Sequence, residues 1–128
     1  MRDINIYFYT KDAAKSAQIS KITASLGLKS STLSNSDINK TISELVDMPI
    51  STTDLSDSTN VTAPALWTLP EIIIFFGVPD KKLDIFLAEY KKTGLEKIRL
   101  KALVTPTNLS WTIYYLTEHL KEEAKRFD

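Results

Sequence analysis

The chain contains no cysteine, which removes disulfides, thiolate catalysis and every cysteine-based zinc or iron–sulfur site. Its one histidine, His119, removes multi-histidine metal centres as well, so neither a metal nor a cofactor is expected. Glycine is scarce too: Gly27, Gly77 and Gly94 each stand where a secondary-structure element should end, and no glycine-rich phosphate loop can be assembled from them. Nor is there an excess of charge of either sign. Lys and Arg number 16 against 16 Asp and Glu, and dividing the chain at Pro70 leaves 6 basic and 7 acidic residues before it, 10 and 9 after it. Without a basic territory, nucleic acid is not an expected partner. The most apolar run, Ile72-Ile73-Ile74-Phe75-Phe76, is about a third or less of a membrane span, so no membrane partner is expected either. Met1 to Asp12 alternates apolar and polar residues and shows no basic region followed by an apolar run, which predicts a cytoplasmic protein.

What remains is an ordinary globular composition, 43% hydrophobic and 25% charged over 128 residues. A chain of this length buries roughly two-thirds of its unfolded surface, enough for one core and a single domain spanning 1–128. Ile4, Ile6 and Phe8 alternate with Asn5, Tyr7 and Tyr9 as in a first strand. Asp12 then caps a helix whose apolar positions are Ile19, Ile22 and Leu26, closed by Gly27. The serine-rich stretch 29–34 suggests only a weak edge strand. Beyond Ser36-Asp37, the residues Ile38, Ile42, Leu45 and Val46 form a short helical stripe that ends at Pro49. The second half repeats the order. It has a strand at 72–76, a helix carrying Leu83, Phe86, Leu87 and Tyr90 and closed by Gly94, and a strand at 98–105. A last helix from about 107 to 127 is marked by Leu109, Ile113, Leu116, Leu120 and Phe127.

Strands alternating with helices predict an α/β fold, with two βαβα halves, 1–48 and 71–128, flanking a small and mainly parallel sheet with helices. A shift of 68 lays Ile4, Ile6, Phe8, Ile19 and Ile22 on Ile72, Ile74, Phe76, Leu87 and Tyr90. A shift of 71 lays Ile38, Thr41, Ile42 and Leu45 on Leu109, Thr112, Ile113 and Leu116. If the halves are true copies, a 2-1-3-4 strand order follows. Between them 49–70 reads as a long polar connecting loop, either linker or lid, whose apolar end at Ala65-Leu66-Trp67-Thr68-Leu69 should tuck against the domain.

The run Lys101, Ala102, Thr105, Asn108 and Trp111, following a strand that ends in Phe-Gly, resembles a bacterial family of uncharacterised proteins, the domain of unknown function 3783. The resemblance extends from about Glu71 to about Glu123. It implies no activity, because the family has none assigned, but it directs attention to this turn.

Thr105-Pro106-Thr107-Asn108 is the strongest local signal. It joins a strand to a helix, a place where α/β sheets hold ligands and where backbone N–H groups suit a small polar or anionic ligand. The alternative is that Thr105 and Asn108 only cap the last helix. Lys101 shares the strand but lies roughly 13 Å from Thr105 along it, so it either joins the site, crosses the sheet edge with its stem or contacts a partner. On a helical wheel Trp111, Tyr114 and Tyr115 fall opposite the apolar stripe, where the Trp67 segment or a second chain must cover them. Asp54 and Asp57 form a carboxylate pair suited to a hard cation, but polar loops produce such pairs routinely. No acid, base and nucleophile converge in sequence, and no catalytic residue is assigned. The expectation is a ligand-binding or regulatory module using Thr105, Thr107, Asn108 and Lys101. The alternative is an interaction or homodimerisation module using Trp67, Trp111, Tyr114 and Tyr115.

Overall fold

The computed structural model describes residues 4–46 and 63–127, with side chains as far as Glu123. Residues 49–62 of the connecting loop, including Asp54 and Asp57, and the Phe127 side chain lie outside the described residues. The chain runs β1 (Ile6–Tyr9), α1 (Ala13–Ser25), β2 (Ser30–Thr32), a 3₁₀ turn (Asn35–Asp37), α2 (Ile42–Val46), β3 (Ile72–Phe75), α3 (Asp80–Lys92), β4 (Leu100–Leu103) and α4 (Ile113–Phe127). The four strands form one sheet in the order β2-β1-β3-β4, as the sequence suggested. The sheet is mixed: β1–β2 and β3–β4 are parallel, but the central pair β1–β3 is antiparallel, with Tyr7 opposite Ile74.

That antiparallel centre relates the two βαβα units by an approximate two-fold axis through the sheet. Adding 67 carries the Asp12 cap onto Pro79, the whole of α1 onto α3, and Gly27 onto Gly94, which have φ of 72° and 74°. Adding 71 carries Thr41 onto Thr112. The hydrogen bond from Leu33 N to Phe8 O (2.7 Å) then has its counterpart in Val104 N to Phe75 O (2.9 Å). The shift of 68 read from sequence is therefore one residue too long. It pairs Ile6 with Ile74, but those side chains lie on opposite faces of the sheet, whereas Ile6 and Ile73 share one. Because strand side chains alternate faces, a slip of one inverts every assignment, and both alignments look equally apolar in a sheet buried on both sides.

Each face carries its own core. Rotation about the sheet normal keeps equivalent helices on the same side, so α1 and α3 cover one face with Ile6, Phe8, Ile19, Ile73, Phe75 and Phe86. The other face packs Tyr7, Ile72, Ile74, Leu100 and Ala102 against Ile42, Val46, Ile113 and Leu116 from α2 and α4. Ile98, expected on the same face as Leu100, belongs to the α1/α3 core, because the regular strand begins only at Leu100. The units are also joined at one end of the sheet. There Lys15, only 7% exposed, reaches Glu71 at 3.0 and 3.2 Å, and Thr10 donates to the same carboxylate at 2.7 Å. The hydrogen bond to Glu71 outweighs the opposing effect of burial and raises the Lys15 pKa above its ordinary value.

Candidate functional site

The Thr105–Asn108 turn is a structural device, and the molecule contains it twice. Asn108 Oδ1 accepts from Thr105 N (2.9 Å), Nδ2 donates to Leu103 O (2.9 Å), and Asn108 N donates to Thr105 Oγ1 (3.3 Å). In the first unit Ser34 N donates to Asp37 Oδ2 (3.0 Å), the equivalent bond 71 residues earlier. Asn108 is buried, while Thr105 and Thr107 are exposed. Its side-chain oxygen and amide face the chain's own backbone, not a cavity.

Nor does the turn open the last helix, as the sequence suggested. The helix α4 begins at Ile113, and Thr112 supplies the side-chain cap by accepting from Tyr115 N at 3.1 Å. The six residues from 107 to 112 instead continue the turn and cross the two-fold axis, where Thr41 and Thr112 form an isolated antiparallel bridge. Helix starts ordinarily leave N–H groups unpaired. Here Ile113 N and Tyr114 N donate to Lys40 O and Ile38 O, each at 2.9 Å, while Ile42 N and Ser43 N donate to Trp111 O and Leu109 O at the same distance. Each unit caps the other's helix. The donors that would have received an anion at α4 are thus consumed by a backbone 70 or so residues away, a long-range pairing that no local pattern announces.

The aromatic residues are spent largely on one another. Trp67 meets Tyr114 edge to face at 4.9 Å, donates from Nε1 to Glu118 at 3.0 Å and lies under the Lys121 ammonium at 5.2 Å. The segment holding it is pinned by Ala63 N to Asn39 Oδ1 (2.9 Å) and Leu69 N to Asn35 Oδ1 (3.0 Å). Trp111 packs edge to face on Tyr115 at 5.0 Å and beside His119 at the same distance, and His119 approaches Glu123 at 3.4 Å. Trp111, Tyr114 and Tyr115 are all half-buried.

Lys101 does not join Thr105–Asn108. It projects from the opposite face of β4, on the side of α3, together with Leu103. A cavity of about 340 Å³ lies there between α3 and the edge strand, lined by Ile73, Phe86, Leu87, Tyr90, Ile98 and Lys101 among others. A second hollow of about 140 Å³, bounded by Phe75, Leu83 and Leu103, shares Leu87 and Lys101 as its wall. The two form one groove along β4 whose floor is the sheet. Lys91 and Lys97 complete the lining of the larger cavity, and no Asp or Glu lines either part. Burial, reinforced by the Lys97 charge, holds the Lys101 ammonium below lysine's ordinary pKa.

The origin of the groove is a difference between the two units. Gly27 is followed by β2 after a short link, whereas the stretch from Gly94 to Lys101, which pairs with Ile73 as Ser30 pairs with Ile6, is four residues longer and includes Glu96-Lys97-Ile98. Tyr90 Oη donates to Glu96 O at 2.8 Å and anchors that longer link. Where the second unit has Leu87, Lys101 and Leu103, the first has Ser20, Ser30 and Thr32. Sequence reading singled out Lys101 but missed Leu87, Leu95 and Ile98. The available signal was the extra length between Gly94 and the following strand, visible only once the units are aligned at 67 and not 68.

These features define a small α/β protein of two pseudo-symmetric βαβα units, one of which carries an apolar groove rimmed by lysines. Residues 71–127, the groove-bearing unit, match the model of the family described as Domain of unknown function (DUF3783). No curated protein and no solved structure matches the chain. Among the described residues no helix is long and apolar enough to cross a membrane, and no cluster of three or more His, Asp or Glu side chains is arranged to hold a metal.

Proposed function

We propose that the chain is a small-molecule-binding module whose site is the groove between α3 and β4. The observation that carries this reading is the larger cavity, about 340 Å³, within the range of roughly 300–1,000 Å³ typical of ligand pockets and bounded by both apolar and charged side chains. Leu87 and Leu103 remain 37% and 53% exposed beside it, so apolar surface lies open where a ligand would cover it. The Thr105–Asn108 turn serves this site indirectly, by fixing the end of β4 at Leu103. An interaction role for Trp111, Tyr114 and Tyr115 has less support, since those rings already pack against Trp67, His119 and each other.

The test is titration with a neutral, solvatochromic apolar dye, comparing the unaltered chain with Leu87→Trp, which fills the groove from an exposed helix position. Saturable binding to the former, reduced at least tenfold in the latter with an unchanged unfolding midpoint, is the expected result. Equal binding by both proteins would overturn the placement.

A further inference from the structure

The chemistry of the groove's lining selects among ligands. Every formally charged side chain bordering the larger cavity is a lysine: Lys91 from α3, Lys97 from the longer link, and Lys101 from the sheet. None of the three ammonium groups has an ion-pair or hydrogen-bond partner among the described residues, although the chain as a whole carries as many acids as bases. Four other lysines are paired, Lys15 with Glu71, Lys40 with Asp37, Lys92 with Glu89 and Lys121 with Glu118, whereas Lys11, Lys21, Lys81 and Lys82 make no such contact among the described residues but line neither hollow of the groove. What distinguishes the groove is the gathering of three lysines around one apolar hollow with no acid in its lining. Lys101 is the central one, because its side chain is part of the wall common to both hollows.

Lys101 pairs in register with Ile73 on the central strand, and both line the larger hollow, Lys101 as an exposed residue beside a buried one. Lys101 loses only part of its hydration at the groove, and a ligand anion would pair with its ammonium while the ligand's apolar body lies against Phe86, Leu87 and Ile98. A neutral apolar ligand would leave the three ammonium groups unmatched, and a cationic one would be repelled.

We infer that the groove receives an amphipathic anion, a monocarboxylate with a compact apolar body, whose carboxylate pairs with Lys101 between Lys91 and Lys97. This inference rests on the groove being a ligand site, and its test separates the two. Octanoate, octanol and octylamine serve as probes of one apolar body with three head groups. Each is titrated into the full chain and followed by amide shifts in a heteronuclear NMR spectrum. Octanoate should bind at least tenfold more tightly than octanol, with shifts concentrated in residues 86–103, and octylamine should bind more weakly than either.

Lys101→Met keeps the length and most of the apolar stem while removing the charge. It should abolish the preference for octanoate over octanol and leave octanol binding within about twofold. Equal affinity for octanoate and octanol in the unaltered chain would overturn the anion assignment while leaving the groove intact as an apolar site. Shifts confined to α2 and α4, or no saturable shift with any probe, would overturn the groove itself. Octanoate selectivity that survives in Lys101→Met would remove Lys101 as the anion's partner.

Discussion

Replacing Asn108 by alanine tests whether the most conspicuous turn in the sequence is structural. The side chain makes two hydrogen bonds of 2.9 Å from a buried position, to Thr105 N and Leu103 O. Each such bond contributes about 0.5–1.5 kcal/mol net, and stranding a buried backbone partner costs about 1–3 kcal/mol. Thr105 and Leu103 are themselves exposed residues, so water recovers part of that loss. A destabilisation of about 1.5–3 kcal/mol is expected, which with an ordinary urea dependence lowers the unfolding midpoint by about 1–2 M.

Thr107→Ala is the control: that residue is exposed, and its substitution should change stability by less than about 0.5 kcal/mol. The two-fold relation adds a sharper comparison. In the first unit Asp37 occupies the equivalent place, and its carboxylate is met by Lys40 at 2.8 Å. The residue equivalent to Lys40 is Trp111, so Asn108→Asp would turn an unmatched oxygen toward Leu103 O and should cost more than Asp37→Asn. Urea denaturation followed by far-UV circular dichroism reads all four variants. Identical midpoints for Asn108→Ala and Thr107→Ala would refute the structural assignment of the turn.

Other consequences are equally direct. Gly27 and Gly94 both adopt positive φ with no close neighbour for an added Cβ, so alanine at either should cost a similar amount, about 1–2 kcal/mol of backbone strain; a difference above about 1 kcal/mol in chemical denaturation would argue against their equivalence. Burial opposes ionisation of Asp37, but Lys40 and the Ser34 N–H lower its pKa below the ordinary carboxylate value. Its contribution to stability is then present above about pH 4 and lost as pH falls through the lowered pKa, and Asp37→Asn should flatten this part of the acid unfolding profile. The raised pKa of Lys15 has the opposite sign: its contribution is present below the ordinary lysine value and lost as pH rises through the raised one, so Glu71→Gln should reduce the stability lost at alkaline pH. Trp67→Phe removes the bond to Glu118 and should lower the midpoint while leaving dye binding at the groove unchanged, since Trp67 sits on the other face.

Much of the fold was legible in order and type. The alternation at Ile6–Phe8, the caps and stops at Asp12, Gly27 and Gly94, and the apolar run at Ile72 are local signals, set by backbone sterics and by the periodicity of burial. They determined the sequence of elements, the presence of two similar units and the strand order that follows from repeating them. Lys101 also stood out beforehand, through its place in the family-like run. Other features required the tertiary structure. The antiparallel meeting of β1 with β3 decides the face of every side chain, and a one-residue difference in alignment is invisible in strands apolar on both sides. The start of α4 at Ile113 depends on carbonyls of Ile38 and Lys40, so local propensity placed the helix six residues too early. The groove goes with the four extra residues between Gly94 and Lys101, and its lysines come from three consecutive segments, α3, the longer link and β4. Periodicity records what each segment buries, whereas the partners that consume a donor or leave a cation unmatched are chosen only when distant segments meet.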